Sequence, residues 1–381
     1  MNKILFITHY DNMYGANRAL LTLIKKLKSE GRYEPVVVIP AKGGFTDELD
    51  KIKVSYLECP ITQWMAIYRE PVSFAVKRRK RLKAIEDELK IMEERFKDEN
   101  LALIHSNSSV IPHGAFLAKR LGCRHVWHVR EFPKEHYGMR PFLKEEQVRK
   151  AFNAADRLIA ISDAVKEDLQ EKYPAAKVMR IYDGIDICVD SQTDHKKHDG
   201  VTFLYTAYLF PAKHQMDVCM AAAELKKEGI SDFKVIFAGD GDKHYRKKIE
   251  DYIVSQGLEN NVSIKGFVED MDSLLNEADA GIIASEYEGF GLATVEYMRS
   301  GLPVIGRRSG ATPEIVKDED TGLLYDDVQG LVTGMKRLIA DASLRERMGT
   351  AGKERVKEFF TSDMNAEKIL AMYDGLFKGL A

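Results

Sequence analysis

The stretch that decides the fold runs from Ala280 to Val316: AGIIASEYEGFGLATVEYMRSGLPVIGRRSGATPEIV. Ala280–Ala284 is a short apolar run with two isoleucines, which reads as a buried parallel strand. Ser285 to Gly291 has two glycines and no periodicity, so it is a loop. Leu292, Val295 and Met298 then recur at helical spacing, and Gly301 ends the helix. Pro303–Gly306 is the next strand. The first amides of such a helix lack internal partners and lie at the positive end of its dipole, so the loop–helix junction suits a phosphate. Those amides belong to Leu292, Ala293 and Thr294, and Gly289 and Gly291 let a ligand approach the backbone. Glu288 and Glu296 frame the junction with seven residues between them. A bound pyrophosphate repels a carboxylate, so these two must bind groups rich in donors, such as ribose or sugar hydroxyls.

The run S-x-x-E-G-F-G-L-x-x-x-E-x-M-x-x-G-x-P-V-I resembles the Glu-x7-Glu motif of the family-four retaining glycosyltransferases, which have the GT-B fold. The resemblance implies an α/β protein with two Rossmann-like, doubly wound domains facing across a cleft. The first Glu, here Glu288, would lie by the donor sugar, and the second, Glu296, would bind the nucleotide ribose.

Length and composition are compatible with this. A chain of 381 residues is comfortable for two domains. A net charge of −2 draws neither nucleic acid nor an anionic surface to the whole chain. Cys59, Cys123, Cys188 and Cys219 form no close pair and read as reduced. Ile4–Thr8 is too short for a signal-peptide core, and no apolar run approaches a membrane span. The expected location is cytoplasmic, with the inner face of the membrane open to it. One dense basic run, Lys77–Lys83 within VKRRKRLKA, reads as a solvated helix face, an RNA patch or a contact with anionic lipid. We expect no nucleic acid partner and keep the peripheral membrane contact.

The chain opens strand–loop–helix–strand, over Lys3–Thr8, Ala16–Leu27 and Val36–Ile39, as α/β doubly wound domains do. Gly15-Ala16 stands where the family usually has Gly-Gly, and a small residue there leaves room for phosphate or sugar. His128, Arg130 and Glu131 follow one another at the end of the strand His125–Val129, where open α/β sheets bind ligands. The segment resembles the place where related transferases present a His to the donor sugar. Asp183 stands for the family's usual Asn before Gly184-Ile185-Asp186.

Polar Asp190–Gly200 is the expected linker. The domains expected are 1–188, completed by a C-terminal helix at 363–381, and 189–362. Phe267 follows the strand Val262–Lys265, where the family packs the base. Asp240-x-Asp242 lies on a glycine turn after a strand, a setting that reads as a turn and not a metal site.

The family places Arg and Lys in G-R-L-x-x-x-K to hold the departing diphosphate. Lys213 is in place here, but Tyr208 stands where the Arg is expected. Arg307, Arg308 and Arg130 are candidates to replace it. The resemblance therefore implies a catalytic set of His128, Lys213 and Glu288. It implies donor-binding positions at Gly15, Ala16, Arg130, Tyr208, Phe267, Gly289, Phe290, Gly291, Leu292, Ala293, Thr294, Glu296 and Arg307. Neither a metal nor a cofactor is expected. The implied function is transfer of a sugar, with retention, from a UDP- or GDP-sugar to a glycan, lipid-linked or polysaccharide acceptor in cell-surface polysaccharide synthesis. A nucleotide-sugar epimerase on the same fold, or a non-catalytic nucleotide-sugar-binding protein, stays open as an alternative.

Overall fold

The computed structural model of the protein describes residues 2–13, 15–67, 71–186 and 199–378. The chain divides into two compact units, Met1–Gly184 with Ser362–Ala381, and Ile185–Thr361. The divisions fall at 184/185 and 361/362, against the 188/189 and 362/363 expected from the sequence. Of the expected linker, residues 190–198 lie outside the described residues, as does Cys188.

The first unit holds β1 (Asn2–Ile7), β2 (Tyr33–Ile39), β3 (Ser55–Glu58), β4 (Met65–Ile67), β5 (Leu101–Ser106), β6 (Arg124–Val129), β7 (Met139–Pro141), β8 (Arg157–Ala160) and β9 (Val178–Arg180). Seven of them form one sheet in the order β3-β2-β1-β5-β6-β8-β9, with every pair parallel. β4 and β7 make a separate antiparallel pair. Ile4–Ile7 and Val37–Ile39 are fully buried, which explains why these strands are continuously apolar. The strand order reverses at β1, between β2 and β5, and such a reversal opens a crevice at the carboxyl ends.

The first helix, Gly15–Glu30, buries Leu20, Leu23, Ile24 and Leu27. The last helix, Ser362–Lys378, adds Ala366, Ile369, Leu370, Tyr373 and Leu376 to the same apolar cluster. The helix Ser362–Lys378 is thus part of the first unit's core.

The basic run and the mixed-charge stretch after it form one helix of 26 residues, Pro71–Phe96. Its second half buries Ile85, Leu89, Met92 and Phe96 at helical spacing. Glu88 falls on the same stripe and is nearly buried. Its carboxylate accepts bonds from the Thr62 amide (2.9 Å) and hydroxyl (2.6 Å) and lies 2.8 Å from His113 Nε2. This ties the long helix to the helix His113–Leu121.

The second unit holds β10 (Val201–Thr206), β11 (Phe233–Ala238), β12 (Val262–Gly266), β13 (Ala280–Ile283), β14 (Val304–Arg307) and β15 (Gly322–Tyr325). They form an all-parallel sheet in the order β12-β11-β10-β13-β14-β15, reversing at β10. β14 starts at Val304 and not at Pro303, which has no N–H for the ladder. Arg307 is therefore the strand's last residue, not the first one after it. The helix Leu292–Arg299 has the bounds its spacing predicts. It lies close on β13, where a Cβ at Gly281 would come within 2.1 Å of the Tyr297 ring. Tyr297 Oη in turn accepts the Thr206 amide of β10 at 2.6 Å.

Glu88 gives the first unit an acid-sensitive joint. Burial pushes its carboxyl up, but the bonds from His113 and Thr62 outweigh this and hold it below its ordinary value. Its contribution to stability is therefore complete above the ordinary Glu range and is lost as pH falls through the lowered folded value. Urea titrations from neutral pH downward should show Glu88→Gln less stable by about 1.5–3 kcal/mol at pH 7, the usual worth of bonds to a charged group. The gap should close as Glu88 itself becomes protonated. A gap that is constant with pH would mean that the carboxylate charge contributes nothing.

Candidate active site

Two loops leave the second sheet at its reversal, one after β10 and one after β13. The first carries Lys213, the last residue of a short 3-10 turn over Pro211–Lys213. The second is Ala284–Gly291, which carries Glu288. Lys213 Nζ donates to Glu288 Oε2 at 2.9 Å, and both side chains are largely shielded from solvent. Tyr205, buried in β10, donates its hydroxyl to the Lys213 carbonyl at 2.5 Å and fixes the first loop from below. The Ala311 amide donates to the Glu288 carbonyl at 2.9 Å, and Ser309 Oγ donates to the Glu286 carbonyl, fixing the second.

Gly291 caps the helix with φ +83°. A Cβ there would meet Thr294 Oγ1 at 2.8 Å, so only glycine fits on both counts. The Thr294 amide donates to the Gly291 carbonyl at 2.9 Å, which removes it from the amides expected to meet a ligand. No such backbone bond is made by the Leu292 and Ala293 amides among the described residues. Thr294 is fully buried, and its hydroxyl has no partner among the described residues. Phe290 is buried against Phe360, ring centroids 5.7 Å apart, so its side chain packs in the core and does not line the junction. Gly289 is buried and Glu296 is nearly so.

Around Lys213 stand three residues the sequence reading did not single out. His214 takes a left-handed backbone, φ +53°, at the start of the helix Gln215–Lys227. Its ring nitrogens lie 3.1 Å from Asp217 Oδ2 and 3.5 Å from Glu286 Oε2. Arg307 Nη1 reaches the same Asp217 oxygen at 3.3 Å and His214 Nδ1 at 3.3 Å. Arg307 thus holds the residue next to Lys213. Arg308 points elsewhere, to Asp318 at 2.7 Å and Asp326 at 3.6 Å.

Tyr208 and Phe267 are 55% and 70% exposed, which leaves both rings free to stack on a ligand. Asp242 caps the helix Lys243–Ser255 by accepting the Tyr245 amide at 2.8 Å, so half of the Asp-x-Asp pair is a cap. No cluster of metal-ligating side chains occurs among the described residues.

In the first unit the expected residues at the end of β6 are drawn into a buried network. Arg130 pairs with Asp183, and its Nε donates to Asn107 Oδ1 at 3.0 Å. Asn107, just after β5, in turn donates to the Ala16 carbonyl at 3.1 Å, which connects the start of the first helix, at Gly15-Ala16, to the end of that strand. Asp183 thus neutralises the Arg130 charge, a role that an asparagine could not fill. Arg130 is also the less accessible candidate to replace the family arginine, with its side chain 7% exposed against 22% for Arg307. Glu131 accepts from Ser108 Oγ and from the Ser109 amide and hydroxyl, all within 2.8 Å, and so caps a turn. His128 is fully buried, and burial together with Arg130 and His105 pushes its pKa well down, so the ring is neutral.

Residues 190–355 match the family model of Glycosyl transferases group 1, and residues 13–188 match that of Glycosyltransferase Family 4. N-acetyl-alpha-D-glucosaminyl L-malate synthase of Bacillus anthracis is 28% identical over 295 residues, 73% of this chain and 75% of that protein. Alpha-D-kanosaminyltransferase of Streptomyces kanamyceticus is 26% identical, and the match spans 52% of this chain and 55% of that protein. The structure of Anabaena HepE in complex with UDP and glucose superimposes with a TM-score of 0.79 at 20% identity, over 98% of this chain and 100% of that one. The fold is therefore that of a GT-B enzyme, two Rossmann-like units joined in one chain. The chain belongs to the group 1 glycosyltransferases.

The neighbourhood of Lys213 separates the two candidate arginines. Arg307→Ala should lower kcat by roughly 10²-fold, as expected for loss of one preorganised charge-stabilising donor. Arg308→Ala should leave kcat within about twofold of wild type, because its partners lie outside this cluster. Steady-state kinetics on the two single variants decide it; equal losses would refute the assignment.

Proposed function

We propose that the chain transfers a sugar, with retention of anomeric configuration, from a UDP-sugar to a glycan or lipid-linked acceptor in cell-surface polysaccharide synthesis. The observation that carries this reading is the Lys213–Glu288 pair, 2.9 Å apart beside the amino end of the helix Leu292–Arg299. Departure of the nucleotide diphosphate builds negative charge on the leaving group and cation-like charge on the sugar. The Leu292 and Ala293 amides, the Lys213 ammonium and the Arg307 guanidinium answer the first charge. Glu288 and Glu296 accept from sugar and ribose hydroxyls. The exposed Phe267 ring stacks on the base. His128, by its resemblance, takes the transferred sugar. UDP is favoured over GDP because the HepE complexes contain UDP. Neither a metal nor a cofactor enters the scheme. Release of free nucleotide diphosphate across a panel of UDP- and GDP-sugars tests the donor, and proton NMR of the product tests retention. Turnover restricted to GDP-sugars, or an inverted product, would refute the respective part.

Glu296 provides a separate test of donor binding. Glu296→Ala should weaken UDP by about 1.5–3 kcal/mol, the cost of losing bonds to a charged acceptor. Titration calorimetry reads it directly, and unchanged affinity would remove Glu296 from the ribose.

We also infer that the basic run rests on an anionic membrane face. Its six cations do not act alike. Arg78 Nε donates to the Phe142 carbonyl at 2.6 Å and Arg81 Nη1 to the Gln63 carbonyl at 3.2 Å, so these two brace the fold. Lys77, Arg79, Lys80 and Lys83 are exposed, and Val76 beside them is 70% exposed. No described helix is long and apolar enough to cross a membrane. Replacing those four cations by Ala should cut binding to phosphatidylglycerol vesicles more than tenfold at low salt, since each basic residue near such a surface is worth about 1 kcal/mol. Phosphatidylcholine vesicles serve as the control. Binding that is unchanged by the substitutions would refute the membrane contact.

A further inference from the structure

The fully buried His105 of β5 stands between two aromatic partners and a second histidine. Its Nδ1 lies 2.6 Å from the Tyr373 hydroxyl on the C-terminal helix, and its Nε2 lies 3.2 Å from His128 Nδ1. Phe6 and Tyr373 pack on its ring, with centroids 5.1 Å and 6.1 Å away. Arg130 Nη2 approaches the same His128 nitrogen at 3.3 Å.

The roles of these atoms follow from one fact. A guanidinium has only donors. His128 Nδ1 must therefore offer its lone pair to Arg130, and the proton of the neutral ring sits on Nε2. His105 Nε2, facing the same lone pair, must then be the protonated nitrogen of its ring. His105 Nδ1 is left as an acceptor, and the Tyr373 hydroxyl fills it as donor. Burial pushes both imidazoles well below their ordinary pKa, with help from Arg130, and pushes the Tyr373 phenol well above its own. No member of the chain gains or loses a proton near neutral pH. The series has one direction, from Tyr373 O–H to His105 to His128. It ends at His128 Nε2, which is buried, lacks a partner and lies 3.9 Å from Asp183 Oδ1, itself without one.

We propose that Tyr373 and His105 are positioning residues that, together with Arg130, hold His128 as its Nε2–H tautomer, so that this nitrogen presents a fixed hydrogen-bond donor beside the Asp183 carboxylate. The assignment gives the last helix of the chain a part in the chemistry as well as in the core. Its functional consequence rests on the proposed role of His128 toward the sugar, while the tautomer does not.

The test uses the full-length protein labelled with ¹⁵N-histidine, with the His128 signals assigned by their loss in His128→Ala. Wild type should show a single Nε2–H tautomer at His128. Tyr373→Phe keeps the ring in the core and deletes only the donor, so His105 can move its proton to Nδ1 and turn an Nε2 lone pair toward His128, in competition with Arg130, and His128 should become a mixture of tautomers with little change in Tm. His105→Gln can accept from Tyr373 and donate to His128, and should restore the single tautomer; His105→Phe should not. In the same variants kcat should fall about tenfold where the tautomer is mixed and recover in His105→Gln, with the donor KM unchanged. A pure Nε2–H tautomer in both Tyr373→Phe and His105→Phe would overturn the proposal. Mixed tautomers with full turnover would support the relay and remove His128 from sugar transfer.

Discussion

The geometry of the second unit depends on how closely one helix approaches one strand. β13 has no side chain at Gly281, and the Tyr297 ring fills the space that a Cβ would take. The same tyrosine accepts the Thr206 amide of β10. One side chain therefore fastens the helix Leu292–Arg299 to both strands that flank the sheet reversal. The candidate site of this unit is assembled around these two strands. The helix start, the loop bearing Glu288 and the loop bearing Lys213 all leave these two strands. Close packing of this kind tolerates little change, since even one added methyl group forces neighbours off their preferred rotamers.

A second constraint is charge. Each cation near the two sheet rims has a carboxylate in contact: Arg130 with Asp183, Lys213 with Glu288 and Arg307 with Asp217. A buried cation without such a partner would cost several kcal/mol in desolvation. The partner also fixes direction. Lys213 and Glu288 are held together by a charge-assisted bond that an anionic ligand could compete for, so the ammonium already has a fixed position in the free protein. Arg130 is different. Asp183 and Asn107 fix its plane deep in the unit, and what it offers is orientation of His128 rather than charge for a ligand.

The sequence exposed those parts of this arrangement that are local. Strands such as Ile4–Ile7 and the helix Leu292–Arg299 were legible because burial on both faces, or on one stripe, is written in consecutive residues. The glycines and paired glutamates could be singled out for the same reason: the candidate site they form is one loop and one helix. β15 went unread because its two leucines stand between a glycine and a tyrosine and make no apolar run of their own. His214 and Asp217 were missed because their meaning comes from Arg307, some ninety residues away, and Glu286 because its partner His214 is also remote in the chain. His128 was singled out, but the pattern could not say that it is fully buried. Phe290 was misread for a related reason, since a phenylalanine between two glycines does not reveal that Phe360 covers it.

Tyr373 is the extreme case of a meaning that lies far away in the chain. It sits 268 residues from His105, and in the sequence it is one more aromatic on an apolar helical stripe. The chain passes from the first unit to the second at residue 184 and back at 361. On its second passage it is fastened at both sides of the crossing. Ile185 donates its amide to the Phe360 carbonyl at 3.0 Å, and Asn365 donates to the Tyr182 carbonyl at 2.6 Å. These bonds fix where the last helix starts, and Ile369, Leu370 and Leu376 fix which face it turns to the first unit's core. Tyr373 lies on that face, so the apolar packing that orients the helix also delivers a hydroxyl to His105. A purely apolar residue at this position would bury as well and would leave His105 Nδ1 without its donor. The hydroxyl thus carries a constraint that packing alone does not impose, and that is why the helix bears on the buried histidines of β5 and β6.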